Sequence, residues 1–99
     1  MASDIKTLTA AVTKDGAPFL NGEFEVTPVN YAAVKGLLSE VDMTRAQAAS
    51  MLSGYMHARD VGPVTEDMGK IALIATVFFL EAGETDIIIP LSEGQNAPS

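Results

Sequence analysis

Residues 71–80 read IALIATVFFL, ten positions with one polar side chain, Thr76. Water rejects so much contiguous apolar surface, so the segment has to lie inside something. It is about half as long as a helix needs to be to cross a bilayer. Its place is therefore the centre of a folded core or a contact between molecules, and the rest of the chain must be arranged to cover it.

Two local structures compete for this segment. Ile71, Ile74, Val77, Phe78 and Phe79 favour a strand on propensity, paired with residues 86–91 across Ala82-Gly83-Glu84-Thr85. The flanks favour a helix. Thr65 can cap the first turn, Glu66 and Asp67 stand near its positive end, and Gly83 fits a C-terminal stop. The flanks and the length predict a helix, apolar nearly all round over residues 68–80.

The N-terminal quarter reads as β-structure. Leu8, Ala10 and Val12 alternate with Thr7, Thr9 and Ala11, which puts the first set inward. Lys14-Asp15-Gly16 is a turn signal. Phe24 and Val26 share one face of a second extended stretch, with Glu23 and Glu25 on the other, and Asn21-Gly22 reads as a further tight turn. The whole is a hairpin or small meander over residues 4–26.

Two helices should follow. Thr27-Pro28 starts the first, because Thr caps and Pro suits the first helical position. Its stripe is Tyr31, Val34, Leu38 and Val41, with Leu37 beside it. Gly36 weakens it by about 1 kcal/mol relative to Ala, which a close neighbouring backbone would explain. Thr44 and Gln47 fit a capping box for the second helix, at about residues 45–58. Its face of Ala48, Leu52, Tyr55 and Met56 allows close packing. The short Asp42-Met43 connection predicts that these two helices form an αα unit.

Asp86 to Leu91 reads as a strand built on Ile87, Ile88 and Ile89, with Pro90 confining it to an edge or an end. The expected fold is α+β: an N-terminal β-hairpin, two short helices, a long apolar helix and a C-terminal strand joining the sheet. The length suits one domain over residues 1–92, with residues 93–99 a flexible polar tail.

Chemistry-bearing side chains are scarce: the 99 residues include no Cys, no Trp and one His, His57. This removes thiol catalysis, disulfides, thiolate metal sites and His-rich clusters. No catalytic residue, cofactor or metal site is assigned. Gly62 to Lys70 fails as a phosphate loop, because six residues rather than four separate Gly62 from Gly69 and Ile71 stands where Ser or Thr is needed. His57 has Asp60 three positions on, within reach on one helix face, yet a His at a helix end also simply complements the dipole. Glu23/Glu25 and Glu66/Asp67 read as solvated and capping carboxylates. Glu81, Glu84 and Asp86 lack the pattern of a calcium loop.

Thirteen acids against six bases give a net charge of -7. Lys6, Lys14, Lys35, Arg45, Arg59 and Lys70 are scattered singly, which argues against nucleic acid and anionic membranes. Charged residues make up 19% of the chain, somewhat low for a soluble domain, so part of the surface is expected to be covered. With no basic and apolar leader at the start, the expected location is cytoplasmic or virion-associated.

The expected function is non-catalytic: a protein–protein interaction or assembly protein, in keeping with a bacterial or bacteriophage complex subunit. Its partner is a protein, and a homo-oligomer is expected. The apolar surplus names the expected interface as Phe78, Phe79, Ile87, Ile88 and Ile89, since an uncovered Ile-rich edge is an aggregation hazard. One alternative is an acidic inhibitor that fills a basic nucleic-acid-binding groove on its target, with Glu81, Glu84 and Asp86 as its acidic surface. Another is a small-ligand site around His57.

Overall fold

The computed structural model describes residues 5–90. In chain order the elements are β1 (Lys6–Lys14), β2 (Ala17–Val26), α1 (Pro28–Leu38), α2 (Arg45–Val61), α3 (Glu66–Glu81) and β3 (Asp86–Pro90). The protein is α+β, a mixed three-stranded sheet with three helices. The polar tail expected at residues 93–99 lies outside the described residues.

The sheet runs β2-β1-β3. β1 and β2 form an antiparallel hairpin, closed at Asp15 (φ 55°) and Gly16 (φ 81°), the pair of positive φ values that a tight two-residue turn demands. β3 lies parallel to β1, with Ala10 beside Ile87 and Val12 beside Ile89. The inward alternation holds: Leu8, Ala10 and Val12 are fully buried.

Asn21-Gly22 is a correction. The dipeptide is no turn; it lies within β2, opposite Ala11 and Ala10. A side chain at Gly22 would crowd the Arg59 guanidinium at 3.0 Å and the Phe24 ring at 3.2 Å. The residue marks a close approach of α2 to the strand.

Each helix begins at a threonine cap. Thr27 accepts from the Asn30 N–H (3.3 Å), Thr44 from Gln47 (3.1 Å) and Thr65 from Met68 (3.2 Å). At Thr44 the Gln47 side chain also accepts from the Thr44 N–H (2.9 Å), which completes the capping box. α3 stops at Glu81 and is closed by Gly83 (φ 85°) beyond the Ala82 cap: the Gly83 N–H donates to the Leu80 carbonyl and that of Glu84 to the Phe79 carbonyl, both at 3.0 Å.

The proportions of the helices differ from expectation. α2, at 17 residues, is the longest, and α3 spans 16. α3 is not a long helix apolar all round. Ala72, Ala75, Thr76, Val77 and Phe79 are buried, while Lys70 and Ile71 face outward and Glu66, Asp67 and Glu81 mark exposed ends. The buried Thr76 hydroxyl is satisfied by donating to the Ala72 carbonyl (2.7 Å), so it costs the core little.

Nor do α1 and α2 pack as a pair. α2 packs on α3 through small residues, with Ala48, Ala49, Ala72 and Ala75 all buried. α1 leans on α3 from elsewhere, through Val34 against Val26 and Val77. α3 is thus the hub, in contact with both other helices and with β1 and β2. Val41 falls beyond the end of α1, in the connection. Gly36 has open space where a side chain would be, so no neighbouring backbone accounts for it.

Candidate functional site

Two helix boundaries fall close together in sequence, and they shape a groove on the surface. α1 stops at Leu38: the N–H groups of Glu40 and Val41 fold back to the Leu37 and Leu38 carbonyls, at 3.0 and 3.3 Å. The Thr44 capping box then starts α2 in a new direction. Because both helices rest on α3 rather than on each other, their adjoining ends stand apart.

The gap is a groove of about 780 Å³. Leu37 and Leu38 form one wall, Ala46, Gln47, Ser50 and Met51 of α2 the other, and Ile74 of α3 contributes from between them. The connection closes one end with Glu40, Val41, Asp42 and Met43. Leu37 is 58% exposed and Val41 54% exposed. A scattered exposed apolar residue needs no explanation, but this is a contiguous concave set.

The electrostatics of the groove are one-sided. Glu40 and Asp42 line it, and no base does. The C-terminal end of α1 adds partial negative charge on the same side. The nearest bases point their charge elsewhere. Lys35 pairs with Glu81 at 3.8 Å, and Arg45 is bound to Glu84 with its guanidinium 5.1 Å from the centre of the Phe79 ring.

The residues expected at an interface separate into three groups. Phe79, Ile87 and Ile89 belong to the chain's own core, on the side of the sheet that α3 covers. Phe78 is half-buried, edge-on to Phe79 at 5.6 Å. Ile88 alone of the set is exposed, at 63%, on the open face of the sheet beside Ala11.

The acidic surface also divides. Glu81 accepts a hydrogen bond from the Tyr31 hydroxyl as well as pairing with Lys35, and Glu84 holds Arg45. These carboxylates join α1 and α2 to the end of α3. Asp86 is exposed at the start of β3, opposite Thr9. Burial and the Glu81 carboxylate together push the Tyr31 phenol up to about 12.

His57 sits on the exposed side of α2, its ring 6.4 Å from that of Phe19, with the Lys14 ammonium over the same Phe at 5.6 Å. Among the described residues, the ion pairs and side-chain hydrogen bonds do not join His57 to Asp60. The orienting contact that a general base needs is not made in this geometry. Arg59 lies close to both Phe24 and Tyr55, 5.5 and 5.4 Å from the ring centres. Glu23 and Glu25 face away from the core, opposite Thr9 and Thr7. Among the described residues, no three His, Cys, Asp or Glu side chains gather where they would hold a metal, and no helix is long and apolar enough to cross a membrane.

The groove was not found by sequence reasoning, although a signal existed. α1 carries one charged residue, Lys35, in 11 positions, too few for a helix that buries only Val34 fully. Comparison with family models, curated proteins and solved structures gave no match.

Proposed function

We propose that this chain is a non-catalytic protein-interaction domain that receives a partner in the groove between α1 and α2. One observation carries the reading: a contiguous concave apolar surface, open to solvent, whose Leu38, Met43, Met51 and Ile74 rest on the chain's core clusters while Leu37 and Val41 stay exposed. Met43 and Met51 in its lining suit a docking role, because unbranched thioether side chains adapt to a guest. The acidic-inhibitor alternative has less support, since Glu81 and Glu84 are engaged within the chain.

A second reading, self-association, rests on Ile88. It is the exposed apolar residue of an edge strand, and two such edges meeting would cover each other.

One experiment tests both. A benzophenone amino acid is placed at Val41 in one sample and at Ile88 in another, and the cells that make the protein are irradiated. A discrete protein adduct from Val41 supports the groove. An adduct of twice the chain's mass from Ile88 supports self-association. Absence of any adduct at a position removes the reading attached to it.

A further inference from the structure

The groove also constrains what fits it, and this step rests on reading it as a docking surface. We infer that its occupant is an amphipathic helix of a partner protein, with an apolar stripe flanked by Lys or Arg.

The helical form follows from backbone accounting. A buried peptide must satisfy its own N–H and C=O groups. An extended guest does so by borrowing partners from its host, as in strand addition to a sheet edge. This groove offers no strand edge, so it cannot lend the regular ladder of partners an extended guest needs. No strand residue lines it. The Lys35, Leu37 and Leu38 carbonyls are taken by the N–H groups of Ser39, Glu40 and Val41, and the Gly36 carbonyl by the Ser39 hydroxyl at 2.7 Å. The Thr44 N–H is held by Gln47. A guest that arrives with its backbone already paired, which is a helix, loses nothing on burial.

The charge follows from the rim. Glu40 and Asp42 stand at the closed end, the negative end of α1 lies beside them, and Lys35 and Arg45 are held elsewhere by Glu81 and Glu84. A cationic flank gains from this field, and an anionic one is repelled. The same field disfavours a fatty acid, whose carboxylate would meet the two acids. The volume, about 780 Å³, accepts a few bulky side chains rather than a domain face.

The test is selection from a displayed random library of peptides about 16 residues long, roughly four helical turns, against the full chain. Counter-selection uses Ala46→Arg, which fills the groove from an exposed position. The expected winners carry apolar residues at i, i+3 or i+4, and i+7, flanked by Lys or Arg. They become helical on binding, as read by circular dichroism. They lose affinity for Ala46→Arg, and for Glu40→Lys/Asp42→Lys by about tenfold. Groove-dependent winners that are extended, neutral or acidic overturn the inferred occupant and leave the docking reading standing. Winners indifferent to Ala46→Arg, or no winners, overturn both.

Discussion

The Tyr31 hydroxyl donates to the Glu81 carboxylate, and through that bond the first helix is tied to the last turn of the third. Lys35 reaches the same carboxylate one turn along, so a single acid gathers two groups of α1. Val34, between them in sequence, is buried against Val26 and Val77. The polar contacts close over the exposed rim of this small apolar cluster.

Tyr31 therefore titrates high, at about 12, with burial the larger cause and Glu81 the second. Its folded value lies above the ordinary value near 10, so the stability linked to the neutral phenol is fully present below pH 10 and is lost as pH rises toward 12. In a Tyr55→Phe background Tyr31 is the sole tyrosine, because the chain has two. Absorbance at the phenolate band should show a midpoint near 12. Glu81→Gln should lower it, though not fully to the ordinary value, because burial remains. An unchanged midpoint would break the assignment to Glu81.

Adjacent isoleucines in β3 should respond oppositely to charge. Ile88→Lys places an ammonium in solvent and should alter stability by no more than about 0.5 kcal/mol. Ile89→Lys buries it unpaired in the core and should cost several kcal/mol, enough to unfold a domain of this size. Thermal melts of both variants decide this. Comparable melting temperatures would mean that the strand's facing is wrong.

Gly36→Ala should stabilise the protein by about 0.5–1 kcal/mol. The position is helical, its φ is not positive, and nothing stands within 4 Å of an added methyl group. Urea unfolding gives the shift in midpoint. A loss of stability would point to a contact on that side of α1.

Thr44→Ala should cost about 1 kcal/mol, because it removes the acceptor for the Gln47 N–H. A denaturation midpoint lowered by that amount, with Thr44→Ser restoring most of it, is the expected pattern. If Ser fails to rescue, the threonine matters through its methyl group rather than its hydroxyl.

The parts of the fold legible in the sequence are those settled by near neighbours. Thr27, Thr44 and Thr65 start helices because each hydroxyl answers an N–H three residues away. Leu8, Ala10 and Val12 show their face by simple alternation. Asn21-Gly22 misleads because its local turn preference yields to pairing with Ala11 and Ala10, a choice made by distant residues. Three consecutive isoleucines hide the period of two that separates buried Ile87 and Ile89 from exposed Ile88. The groove was hidden for a further reason. It is a space between elements, set by α1 and α2 both choosing α3, and no residue of the 39–44 connection encodes that choice.

The parallel pairing of β1 with β3 has a temporal consequence. Thr9 sits beside Asp86, with all three helices between them in the chain. A ribosome releases the hairpin early, but the flank of β1 that takes Ile87 and Ile89 waits for nearly all the remaining described sequence to emerge. Closing so long a loop is entropically slow. Until then one side of the central strand is an open template. The nascent chain therefore carries an exposed strand flank until β3 emerges, at a stage when its helices already exist and its sheet does not yet have both neighbours.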